Sequence, residues 1–105
     1  MTYVKIKDTL YPAQVRGKVR DADWDDRESK AITLEMTYEK AMETFTDDVF
    51  WSIIWKTENE KNEEYDNSDF CVAGPVTHNR DGTVTVKMGK ITDAEALAEL
   101  MEVLA

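Results

Sequence analysis

Cysteine and histidine each occur once in these 105 residues, as Cys71 and His78, while glycine occurs four times and proline twice. One cysteine cannot close a disulfide within the chain, and one cysteine with one histidine makes too few ligands for a Cys/His zinc site. Four scattered glycines build no phosphate-cradling loop. Cys71 in DFCVAG reads as a buried small hydrophobe and His78 as a solvated turn residue, because neither has an identifiable nucleophile, base or orienting partner. The chain therefore reads as a non-enzyme, with no cofactor and no metal. No apolar run approaches the roughly 20 residues of a membrane span. The N-terminal MTYVKIKD also lacks the apolar core of a secretory signal. The expectation is a single soluble domain over residues 1–105, made in the cytoplasm and without a membrane partner.

Apolar surface is concentrated in one stretch, Val49 to Trp55, VFWSIIW. At a period of two, Val49, Trp51, Ile53 and Trp55 share one face, while Phe50 and Ile54 give the other face an apolar pair around Ser52. Both faces need cover, which predicts a central strand in mid-sheet.

Charge is abundant but uneven. The net charge is -9. Residues 1 to 20 nevertheless hold Lys5, Lys7, Arg16, Lys18 and Arg20 against Asp8 alone, while residues 21 to 28, DADWDDRE, hold five acids against Arg27. Residues 58 to 69 hold six acids against Lys61. Patches of both signs can steer copies or partners into register, more in rate and specificity than in affinity. The simpler reading of both acidic runs is solvated loops.

Along the chain, Tyr3 to Lys7 alternates as a strand, Asp8-Thr9 turns it, and Leu10 to Arg20 returns with Gln14, Arg16, Lys18 and Arg20 outward. That outer face is basic but lacks the interleaved aromatics of a nucleic-acid platform. In DADWDDRE, Asp21, Asp23 and Asp25 occupy the first three ligand positions of an EF-hand loop. However, Asp26 stands where glycine is needed and Ile32 where a bidentate glutamate is needed. Trp24 is expected to fold back and staple this loop to the core.

Lys30 to Met36 predicts a third strand, with Ile32, Leu34 and Met36 inward. Thr37 then caps a short helix with Tyr38, Ala41, Met42 and Phe45 on one face. TENEKNEEYDNS reads as an exposed loop, most mobile over residues 58 to 68. Phe70 to Val76 and Thr83 to Met88 predict a hairpin around Asn79-Arg80-Asp81-Gly82, with Val84, Val86 and Met88 inward. Thr92 and Glu95 make a capping box for a final helix from Asp93 to Leu104. Leu97, Ala98, Met101 and Leu104 form its stripe, widened by Leu100 and Val103. Such a helix either covers the sheet or docks against another subunit. The predicted class is α+β: a mostly antiparallel sheet of about six strands, order βββαβββα, with a short middle helix and a C-terminal helix. Duplication of a βββα unit is conceivable but rests on slight residue identity.

Three segments together, WDDRESKAITLEMTYEKAMETF, VFWSII and EEYDNSDFCVAGPVTHNRDGTVTVKMGK, resemble a group of small, uncharacterised prophage-encoded proteins from structural and tail-assembly genes. The resemblance spans about Arg20 to Lys90 and brings no catalytic or ligand motif. It implies a phage structural or tail-assembly protein that is associated with the virion and works through protein-protein contacts. The expected partners are the chain itself, as a homo-oligomer, or another phage structural protein. The candidate interaction surface is Lys5, Lys7, Arg16, Lys18, Arg20, Leu100 and Val103. An alternative is an acidic DNA mimic that occupies a host DNA-binding protein, although the basic hairpin interrupts the extended acidic face this needs.

Overall fold

Strands form where alternation is cleanest, and in the computed structural model they pair in chain order at first. The structure describes residues 2–24, 26–47, 49–56 and 62–104. The side chains of Lys18, Val19, Asp21, Asp23, Asn62, Glu99, Glu102, Val103 and Leu104 lie outside that description. β1 (Thr2–Ile6) and β2 (Thr9–Asp21) meet across Lys7 and Asp8. Both turn residues are left-handed, at φ 49° and 65°. Positive φ at both positions matches the twist of a two-residue hairpin, so the turn is Lys7-Asp8, one residue before the expected site.

After a 3-10 turn at Ala22–Trp24, β3 (Arg27–Leu34) runs back along β2, and α1 (Tyr38–Thr44) follows. The Thr37 hydroxyl accepts the Lys40 N–H at 3.1 Å, as a cap should. Of the expected apolar stripe on α1, Ala41 and the following Phe45 are buried, whereas Tyr38 and Met42 are exposed.

β4 (Trp51–Lys56) leads to β5 (Asn62–Asp66), β6 (Val72–His78), β7 (Val84–Gly89) and α2 (Asp93–Leu104). The fold is α+β with one antiparallel sheet, of seven strands instead of six, in the order β5-β4-β1-β2-β3-β7-β6. β5 lies where a mobile loop was expected; residues 57–61 of that loop lie outside the described residues. The second half of the chain thus has four strands to the first half's three, unlike a duplicated unit.

β4 is second from the edge. The middle of the sheet is β2, whose Thr9–Pro12 pair with β1 and whose Ala13–Asp21 pair with β3. Val49 and Phe50 precede β4, Val49 buried and Phe50 81% exposed, and Trp55 is also exposed. Residues 51–55 of the apolar stretch therefore lie in the strand, where Trp51 and Ile54 are buried on opposite faces. Trp51 is 1% exposed and its indole N–H donates to the Phe70 carbonyl at 2.9 Å.

One core joins the two halves of the sheet. Val4, Ile6 and Trp51 meet Ile32, Leu34, Val84, Val86 and Met88, with Ala41, Phe45, Val49 and Phe70 completing the cluster. The inward positions expected in β7 are found there, as are Ile32 and Leu34 of β3, whereas Met36 falls beyond the strand and packs half-buried against the cluster. Burial of a large apolar side chain stabilises by about 1.5–3 kcal/mol, so this cluster is what holds the two halves of the sheet together.

Candidate interaction surfaces

α2 is held at its first turn. Its capping box is complete: the Thr92 N–H donates to Glu95 Oε1 at 3.0 Å, and the Glu95 N–H donates to the Thr92 hydroxyl at 3.2 Å. Arg27 of β3 grips the same carboxylate through both guanidinium arms, at 2.6 and 3.0 Å, and donates to the Lys90 carbonyl at 2.9 Å. This planar fork suits arginine and could not be reproduced by lysine. The Arg27 hydrogen bond and the Thr92 N–H hold the Glu95 carboxyl well below its ordinary range, at about 2.

The anchor rests on a flat aromatic shelf. Arg27 lies 5.3 Å from the centroid of the Trp24 ring, and that ring lies over Gly74 and Gly89. A Cβ on Gly89 would come within 2.5 Å of Arg27 and 2.7 Å of Trp24, so the close approach requires glycine. Trp24 staples its acidic loop to the sheet, as its isolation among acids suggests.

Beyond this anchor the described large apolar side chains of the helix are open to solvent. Leu97 is 57% exposed, Leu100 55% and Met101 63%. These three positions recur at helical spacing and form one apolar stripe. Leu100 of the candidate surface is thus open, whereas the side chain of Val103 lies outside the described residues.

The basic residues are only partly brought together. Lys5 pairs with Leu10 across β1–β2, and Leu10, Pro12, Gln14 and Arg16 alternate on the same outer face. A bulge between Arg16 and Val19 then inserts one residue into β2: Arg16 stands opposite Ala31, but Arg20 stands opposite Glu28. Because a one-residue slip reverses every side chain, Arg20 leaves the face that Arg16 occupies. Arg20 instead lines a cleft of about 370 Å³ whose wall mixes Arg27 and Lys90 with Asp26, Glu28 and Asp93. No single sign of ligand charge suits that wall. Lys7 is exposed at the turn, Lys5 lies 3.8 Å from Glu64, and the side chain of Lys18 lies outside the described residues.

Other candidates resolve simply. Cys71 is buried, and exposed His78 stacks on Tyr38 at 5.2 Å between centroids. Ile32, the last position of the would-be calcium loop, is a core residue at 0% exposure. Asp25, and the side chains of Asp21 and Asp23, lie outside the described residues. Among the described residues no three His, Cys, Asp or Glu side chains are grouped to hold a metal ion. No helix among them is long and apolar enough to cross a membrane.

Sequence reasoning missed one buried polar centre. Asn67, 2% exposed, accepts from Lys30 and donates to the Tyr65 carbonyl at 2.9 Å, while Lys30 lies 4.5 Å from the Phe70 ring centroid. Its position in a polar run gave no local signal for burial. Searches of protein-family models, curated proteins and solved structures find no match to this chain.

Proposed function

We propose that this chain is a structural or assembly component of a phage particle that works through contacts between protein chains, self-association first among them. The observation that carries this reading is the apolar stripe of α2, three large residues each more than half exposed on a helix tethered at its base. An isolated helix of 12 residues is marginal in water, so a stripe of this kind gains most from being covered. The resemblance to prophage structural proteins points the same way. The DNA-mimic alternative draws little support, because strand alternation sends Glu63 and Glu64 to opposite faces of β5 and Lys5 sits beside Glu64.

Light scattering with native mass spectrometry at micromolar concentration tests the reading. Oligomers that grow with concentration are the expected outcome. A monomer at every concentration, with no binding to a co-produced virion component, would remove it.

A further inference from the structure

Two surfaces left open on this chain are opposite in character and sit far apart. α2 carries Asp93, Glu95, Glu99 and Glu102 in its sequence with no lysine or arginine, and exposes Leu97, Leu100 and Met101. The outer face of β1–β2 exposes Leu10 and Pro12 between Lys5, Lys7 and Arg16. Each element carries an apolar strip, and by sequence the two elements are charged with opposite sign, α2 acidic and the hairpin mainly basic. Their lengths agree as well: the 12 residues of α2 span about 18 Å, and Leu10 to Arg16 along β2 spans about 20 Å.

Their placement decides how they can meet. The hairpin turn Lys7-Asp8 lies at one end of β2, whereas α2 is tethered beside Arg27, which pairs with Asp21 at the other end. Pro12, the nearer of the two apolar residues on the hairpin face, is nine residues from Asp21 along β2, about 30 Å, well beyond the roughly 18 Å length of α2. The two surfaces therefore face different copies of the chain. Symmetric pairing of α2 with α2 would set one acidic helix against another, a repulsive arrangement.

We propose that α2 of one copy seats on the outer face of the β1–β2 hairpin of a second copy, giving a head-to-tail contact. This rests on the self-association reading above and names the surfaces that meet. The apolar strips supply most of the affinity, and the charges set direction and register, because exposed ion pairs contribute little each and weaken with salt. A head-to-tail contact leaves one free surface of each kind, so it either closes into a ring or continues as a stack.

Complementary variants test it. One carries Leu97→Gln and Leu100→Gln, which remove the stripe but keep helix propensity. The other carries Lys7→Glu and Arg16→Glu. Both are first checked for parental far-UV circular dichroism and melting temperature, then followed by sedimentation velocity and native mass spectrometry. Each variant alone is expected to associate about tenfold more weakly or worse. Their mixture is expected to form a 1:1 heterodimer and stop there, since one partner has only a working hairpin face and the other only a working helix. A hairpin variant that associates like the parent while the helix variant does not would establish symmetric α2 pairing and overturn the proposal. So would two variants that both behave like the parent, or a mixture that fails to recover the dimer. A parent chain that is monomeric throughout would instead remove the self-association reading itself.

Discussion

Trp51 and Trp55 show how little residue type alone says about energetic weight. They sit in one strand with the same side-chain parity, yet Trp51 is 1% exposed and Trp55 48%. Trp51 also closes a backbone account: its indole N–H meets the Phe70 carbonyl, and its own carbonyl accepts the Asn67 N–H at 2.9 Å. Trp51→Ala should destabilise the fold by about 3–5 kcal/mol, the range for emptying a packed aromatic site, while half-buried Ile53→Ala should cost nearer 2 kcal/mol. Urea midpoints of the two variants measure the difference. Equal midpoints would show that Trp51 is not the anchor of β4. Gly74 and Gly89 make the complementary point, since both are used for the space that a missing Cβ leaves beneath Trp24.

Among the elements, α2 was the most legible and also the most isolated. Its bounds follow from a capping box whose two bonds form locally, and the structure reproduces Asp93–Leu104. Its attachment was not legible, because Arg27 lies 68 residues away and nothing local marks it as the partner of Glu95. That attachment makes α2 sensitive to pH. Because the Glu95 carboxyl is lowered from 4.5 to about 2 by Arg27 and Thr92, its contribution is fully present above about 4.5 and is lost as pH falls through about 2. Glu95 is 41% exposed, so solvent screening limits the contribution to the order of 1 kcal/mol. Far-UV circular dichroism should show helical signal falling across that window in the parent, and a smaller signal with little further fall in Glu95→Gln. Asp66 and Asp81 are also held low, by Ser68 and Thr83, so the difference between parent and variant is what isolates Glu95. Identical curves would show that the Arg27 contact does not hold the helix.

β5 was illegible for the opposite reason. NEEYD carries no apolar alternation, and an edge strand does not need one: it bonds on one side only, and charged residues there discourage further pairing. What makes the segment a strand is the free edge of β4, to which Ser52 through Lys56 present their backbone groups. The bulge in β2 was hidden in the same way, since simple alternation from Leu10 to Arg20 carries no mark of the extra residue at Gly17-Lys18.

At the scale of the whole molecule, shape argues for unfinished burial. The chain exposes 7420 Å² against roughly 6,000 Å² for a compact monomer of 12.1 kDa. Its radius of gyration is 14.6 Å against about 13 Å for a compact domain of this length. The excess exceeds the roughly 800 Å² that each partner buries in an ordinary specific interface. If α2 is the element that another copy covers, helix content should rise with protein concentration, because covering the stripe stabilises a helix too short to be firm alone. Circular dichroism of the parent from low to high micromolar concentration reads this directly. A constant signal while oligomers form would place the contact elsewhere.

By itself, the sequence determined the α+β class, the inward faces of β3 and β7, both helix starts and the turn at Gly82. Each of these depends on spacing or on the conformational preference of a residue within a few positions. Only the tertiary structure decided that β2 lies in the middle of the sheet, that β5 exists, that Arg20 leaves the basic face and that Arg27 holds the first turn of α2. Those depend on which distant segment supplies an unpaired backbone edge or an opposite charge, and a partner at long range leaves no periodicity in the residues that await it.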